Sequence, residues 1–150
     1  MAPERSPDGD GPAPPEGGPE SAEYSGIDLP GNHHLYFGDD PPTPTLSDAA
    51  AMAEIDFRYY TNHDPAQLRT GEGNSLVLLD EGQEGSFATC AGETRFTRQI
   101  DAGLAAPGTQ ICVRTHGGHL ALVTVTARSA PGEPSDYLTV DATVWRDALD

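Results

Sequence analysis

The chain contains no lysine and only eight arginines against 24 acidic residues, which gives a formal net charge of −16. Nucleic-acid binding depends on cationic side chains that displace the counterions of phosphates, so this balance argues against DNA or RNA as a partner. It argues equally against an anionic membrane surface. A basic protein partner or a bound cation is compatible with the charge, and so is the simpler role of keeping the protein in solution.

Long apolar runs are also absent. The longest, around residues 75–79, is far shorter than the roughly 20 residues that cross a bilayer, so we expect no membrane insertion by this chain. The first twenty residues lack the basic start and the apolar stretch of a secretory signal. If Met1 is the natural start, these observations predict a cytoplasmic protein.

Proline is distributed unevenly, with ten of the fourteen prolines before residue 45. Residues 1–32 consist mostly of Pro, Gly, Ser, Ala and acids, and Tyr24, Ile27 and Leu29 are their only large apolar side chains. Such a segment cannot offset its ordering entropy by burial. We therefore predict a disordered acidic leader over residues 1–32 and one small β-rich domain over residues 33–149.

Short strands are predicted throughout the second part. Residues 33–37 and the apolar run 75–79 are bounded by turn residues, whereas 55–60 and 137–145 alternate with a period of two. In the first alternating segment, this period places Asp56 on the solvent face. Five or six strands in about 115 residues predict a mainly β fold, as a small antiparallel sandwich or barrel-like domain.

One or two short helices are compatible with this fold. Residues 47–54 begin with capping residues, and the spacing of Phe87, Cys90 and Ala91 fits one helical turn about as well as a strand. Eight apolar residues fall on apolar faces of the predicted strands and are expected in the core: Ile55, Phe57, Val77, Leu79, Val113, Leu122, Val140 and Trp145.

A hairpin is the clearest local prediction. Residues 110–127 contain two β-rich runs joined by Gly117 and Gly118, and a two-residue glycine loop supplies the positive φ angles of a tight turn. This loop pairs His116 with His119, Val113 with Leu122, and Cys112 with Val123. Both faces of the hairpin carry apolar residues, which indicates that it is covered on two sides.

Four short motifs, at residues 87–90, 108–115, 118–121 and 140–145, resemble a small cysteine-paired β domain of actinobacterial proteins. In that group the domain typically sits outside the cytoplasm behind a membrane helix, and sometimes behind a kinase-like region. The resemblance implies a non-enzymatic accessory or sensing module with an unknown ligand. This chain departs from the pattern because its sequence contains neither a kinase region nor a membrane helix.

The resemblance also implies a disulfide between Cys90 and Cys112, the only two cysteines. In a reducing cytoplasm the same pair would instead be two small buried hydrophobic residues. A zinc site is a weaker alternative because the sequence has no CxxC pair. His116 and His119, at the predicted hairpin tip, are a further weak metal candidate, since two ligands rarely suffice and exposed turn histidines are the more common case.

Motifs for catalysis are missing. There is no GxSxG nucleophile motif, and no glycine-rich loop ends in the residues that bind phosphate. We therefore assign no catalytic residue and expect no cofactor. The leading hypothesis is a non-catalytic module that binds a protein or a small ligand. A small hydrolase or metal-dependent enzyme is the second, and an acidic mimic that occupies a nucleic-acid-binding protein is the third.

Overall fold

The computed structural model describes residues 21–46, 55–61, 66–71, 73–80, 82–116, 118–129 and 137–146. These residues form two antiparallel five-stranded sheets and one α-helix. The strands are β1 (Ala22–Pro30), β2 (His33–Leu35), β3 (Thr45–Leu46), β4 (Phe57–Tyr60), β5 (Gln67–Arg69), β6 (Ser75–Leu78), β7 (Gln99–Asp101), β8 (Gln110–Arg114), β9 (Leu120–Arg128) and β10 (Tyr137–Trp145). The helix is α1 (Phe87–Gly92), and a 3-10 turn, Ala102–Leu104, follows β7.

The two sheets pack against each other as a sandwich. The first sheet has the strand order β1–β10–β9–β8–β6, and the second has the order β3–β2–β4–β5–β7. Alternation builds the core between them: on β10, Leu138, Val140, Ala142 and Val144 are buried, and the residues between them are partly exposed. The mainly β class and the short helix predicted from the sequence are thus confirmed.

The helix α1 adds a layer on the outer face of the first sheet. Ser86 caps it, because the Ser86 Oγ accepts a hydrogen bond from the Thr89 N–H at 3.2 Å. A helix of six residues is too short to be stable alone, so its position depends on packing. It packs on a second apolar cluster, which consists of Val77, Leu79, Cys90, Cys112, Leu120, Leu122 and Trp145.

All eight predicted core residues are buried. Near Phe87 the helical alternative is the correct one. The described residues form ten strands where five or six were predicted, because β3, β5 and β7 have only two or three residues and such segments are too short to show a period of two. The helix predicted at 47–54 lies outside the described residues.

The predicted leader is wrong in its boundary. Strand β1 lies inside residues 1–32 and pairs with β10, from Ala22 opposite Val144 to Pro30 opposite Tyr137. A register shift after Tyr24 interrupts the strand at Gly26, whose φ is +67°, and this bulge hides the alternation in the sequence. Residues 1–20 of the predicted leader lie outside the described residues.

The predicted hairpin register is wrong by one residue. Cys112 pairs with Leu122 and Val113 with Ala121, so Thr115 lies opposite His119, and three residues separate them. The Gly118 N–H donates to the Thr115 O at 3.1 Å, and Gly118 has a φ of +91°. A three-residue loop that ends in a left-handed glycine is the next most common hairpin type after the two-residue loop.

The prediction that Asp56 faces solvent is also wrong. Its side chain is fully buried, because β4 begins only at the next residue and the alternation does not extend back to Asp56. The carboxylate accepts hydrogen bonds from the Phe37 N–H at 2.7 Å and from the Asn74 Nδ2 at 3.2 Å. It therefore links the chain after β2 to the residue that precedes β6.

Candidate functional site

A half-open cleft of about 460 Å³ lies where β6 ends and β8 begins. One side is formed by residues 78–80, 82 and 83, where the chain leaves β6, and the other by residues 104 and 106–110, which lead from the 3-10 turn into β8. The Leu79 N–H donates to the Gln110 O at 3.0 Å and joins the two sides at the base. The cleft therefore rests on paired strands.

The apolar wall of the cleft includes Leu78, Leu104 and Pro107. Leu104 is 58% exposed, although the neighbouring Ala102 and Ala105 are buried. Because the 3-10 turn directs these alanines inward, the leucine is left at the surface. Leu104 thereby adds apolar surface to a concavity that is also lined by polar groups, and ligand sites combine the two.

The start of the 3-10 turn that carries Leu104 is fixed by two side-chain hydrogen bonds. Asp101 caps its start, since the Asp101 Oδ1 accepts from the Gly103 N–H at 2.8 Å. Arg128, on β9, donates from its Nη1 to the Ala102 O at 2.8 Å. Leu104 is therefore presented by backbone that is tied to both sheets.

The opposite rim is polar and is held by Arg95. The guanidinium contacts Asp80 at 3.2 Å and Glu93 at 3.0 Å, and Gln83 donates from its Nε2 to Glu93 at 2.9 Å. The hydrogen bonds from Arg95 and Gln83 lower the pKa of Glu93 to about 2. Of these four residues, Asp80 and Gln83 line the cleft.

Gln110 connects the cleft to the outer face of the first sheet. It lines the cleft and, as the first residue of β8, lies opposite Thr124 on β9. A Cβ placed on Gly85 would lie 2.5 Å from the Gln110 Nε2, so the amide group passes directly over that glycine. The Gln110 side chain is thus held against the loop that precedes α1.

The chemistry of the lining residues suits binding. Among those that the structure describes, Asp80 is the titratable side chain, and it is already paired with Arg95. No histidine, cysteine or serine lines the described part of the cleft. A nucleophile with an adjacent base, or a pair of carboxylates, is the usual minimum for hydrolysis.

The predicted cysteine pair does not line the cleft. Cys90, on α1, and Cys112, on β8, are fully buried between the helix and the first sheet, and their Sγ atoms lie 2.08 Å apart, at disulfide distance. The prediction that the two side chains are neighbours is therefore confirmed, and their Cα atoms are 5.4 Å apart. The redox state of the pair in the cell stays a prediction.

The two histidines suggested as metal ligands are not opposite each other. His116 is exposed in the turn, whereas the His119 N–H donates to the Thr115 Oγ1 at 3.0 Å. The cross-strand pairing on which this candidate depended is thus not formed. Across the described ranges, no group of three or more His, Cys, Asp or Glu side chains is placed to hold a metal ion.

Sequence reasoning missed the cleft because its two sides are about 25 residues apart in the chain. The signal that was available is Leu104, an isolated large apolar residue within a run of Gly, Ala and Pro.

In the part of the chain that the structure describes, no helix combines the length and the apolar character required to span a membrane. Comparison of the chain with protein-family models, with curated proteins and with solved structures found no match.

Proposed function

We propose that this domain is a non-catalytic binding module whose cleft takes up an apolar group of a protein or a small ligand. The observation that carries this proposal is the exposed Leu104 on a fixed wall of the cleft. The cleft volume of about 460 Å³ falls within the range of roughly 300–1,000 Å³ that ligand sites occupy. Covering the exposed part of Leu104 contributes about 1 kcal/mol, so contacts with the other lining residues must supply the rest of the affinity.

The polar residues of the cleft would orient the bound group. The amide group of Gln110 and the hydroxyl group of Thr109 both border the cleft and offer donors and acceptors next to the apolar wall. A few polar groups beside a mainly apolar surface are the usual means of fixing a ligand's orientation. Because no proton-transfer pair is present among the described lining residues, binding is favoured over hydrolysis.

An extracytoplasmic location is part of the proposal. The resemblance to the cysteine-paired actinobacterial domain implies it, and disulfides persist mainly in oxidising compartments. In such a compartment a bridge between Cys90 and Cys112 would persist and would join α1 to the sheet. A module of this kind would recognise its ligand through the cleft and leave chemistry to other proteins.

Titration of the ¹⁵N-labelled full chain with N-acetyl-leucine amide, a neutral apolar probe, tests the cleft directly. We expect amide shifts at Gly82, Gly108 and Gln110, which border the cleft. Leu104→Ser should abolish these shifts. Leu46→Ser is the matched control, because Leu46 is 52% exposed and does not line the cleft. An unchanged response in Leu104→Ser, or no response in the wild type, would contradict the proposal.

A further inference from the structure

Among the described elements, none covers the half of the outer face of the first sheet that begins at the cleft, and we call this half the bare half. Gln110 lies opposite Thr124, and Thr124 lies opposite Asp141, so one row of side chains runs from the cleft across β8, β9 and β10. Two strand spacings separate the ends of this row, a distance of about 10 Å. The row leads directly from the cleft to a carboxylate.

Further carboxylates lie on the same face beyond Asp141. Asp28 and Glu23 are exposed on β1, opposite Thr139 and Thr143 of β10. The Thr139 Oγ1 donates to the Asp28 Oδ1 at 2.7 Å, and the Gly26 N–H donates to the Asp141 Oδ1 at 2.9 Å. These bonds hold Asp28 and Asp141 in place without neutralising their charge.

No arginine offsets these charges on the described part of the bare half. Arg114 points to the same face, but its guanidinium stacks on Phe96 at 4.5 Å, beside α1. Arg128 turns to the other side of the sheet, where it donates to the Ala102 O. The carboxylates therefore form a negative surface that continues from the cleft.

We infer that the occupant of the cleft is an extended basic segment of a partner protein, with one apolar side chain in the cleft and basic side chains over Asp141 and Asp28. This inference rests on the proposed function, and it adds the class of partner. Charge complementarity selects a cationic segment over a neutral or acidic one. An extended chain advances about 3.3 Å per residue, so the first basic residue lies about three residues from the apolar anchor.

Four blocked peptides separate the contribution of the apolar anchor from that of the basic side chains. They are Leu-Gly-Gly-Lys-Lys, Leu-Gly-Gly-Ser-Ser, Leu-Gly-Gly-Glu-Glu and Ser-Gly-Gly-Lys-Lys. Titrated into the ¹⁵N-labelled full chain at low salt, the first peptide is expected to bind about fivefold more tightly than the second. About 0.5 M NaCl should remove most of this advantage, because exposed charges are screened at that ionic strength. The serine-anchored peptide should bind more weakly than the first one.

Asp141→Asn tests whether the charge of this carboxylate attracts the lysine residues, since asparagine keeps an acceptor for the Gly26 N–H and removes the charge. It should lower the advantage of the lysine peptide and leave binding of the neutral leucine peptide unchanged. Asp39→Asn, at an exposed carboxylate on the chain after β2, is the matched control and should have no effect.

The outcomes distinguish this inference from the proposed function. If the neutral leucine peptide binds in the cleft but the lysine peptide binds no more tightly, the basic partner is overturned and the binding module stands. An advantage that persists in Asp141→Asn, or tighter binding of the glutamate peptide, overturns the inference in the same way. If no leucine peptide binds, both proposals fail.

Discussion

The two halves of the outer face of the first sheet differ in what covers them. Under α1 the outward side chains are apolar, as with Leu120 and Leu122 on β9 and Cys112 on β8. Beyond the helix they become polar, and on β9 the change occurs between Leu122 and Thr124. The sequence of β9 therefore marks where α1 stops covering the sheet, because an outward side chain is apolar only where another element buries it.

The comparison separates stability from recognition. The covered half contains Trp145 and the cysteine pair and contributes to the folding free energy through burial. The bare half contributes little by burial, because its threonines and carboxylates remain accessible to water. Side chains on the bare half can therefore contact a partner, or be substituted, with little change in the free energy of unfolding. Substitutions in the two halves should have different effects.

The largest expected difference is between Leu122→Ala and Thr124→Ala. Leu122 is buried under α1, so its truncation should lower the free energy of unfolding by about 2–5 kcal/mol. Thr124 is two residues further along the same face, and its truncation should change the free energy by less than about 0.5 kcal/mol. Urea denaturation of both variants measures the two values. Equal losses of unfolding free energy in the two variants would contradict the division of the outer face into a half covered by α1 and a bare half.

The disulfide gives the next largest effect. A link between Cys90 and Cys112 restricts the unfolded chain and stabilises the fold by about 3 kcal/mol. We expect the oxidised protein to melt at a higher temperature than protein reduced with a dithiol. The loss on reduction should be the same in Thr124→Ala, which leaves the covered half intact. Two free thiols that resist mild oxidation, counted under denaturing conditions, would contradict the link.

The long strands of the first sheet were predictable because they satisfy a local rule over many residues. Strand β10 alternates over residues 137–144, and the apolar residues of β8 and β9 predicted the hairpin. Its register was not predictable, since a sequence with Gly117 and Gly118 is compatible with loops of two or three residues. The turn also receives a tertiary hydrogen bond, because the His116 N–H donates to the Oδ1 of Asn74, 42 residues earlier in the chain, and no local rule predicts that contact.

Strand β1 and the cleft show the limits of local rules. In β1, Leu29 is fully buried, but a bulge at Gly26 and several polar residues make the segment resemble a flexible leader. The cleft depends on two loops that meet only after the sheets have formed. The chemistry of such a site is a property of the packed chain, and Leu104 alone does not indicate what faces it.

The smallest expected effect concerns the polar rim of the cleft, and it depends on pH. Arg95 and Gln83 lower the pKa of Glu93 from 4.5 to about 2, so the ionised carboxylate is favoured in the folded state. Its contribution to stability is fully present above pH 4.5 and is lost as the pH falls through 2. Glu93→Gln should therefore melt slightly below the wild type at pH 7, and the two should converge near pH 2. Glu84→Gln, at an exposed glutamate in the loop before α1, is the control at pH 7 and should melt like the wild type there. A gap between Glu93→Gln and the wild type that does not change with pH would show that Glu93 acts through packing and not through its charge.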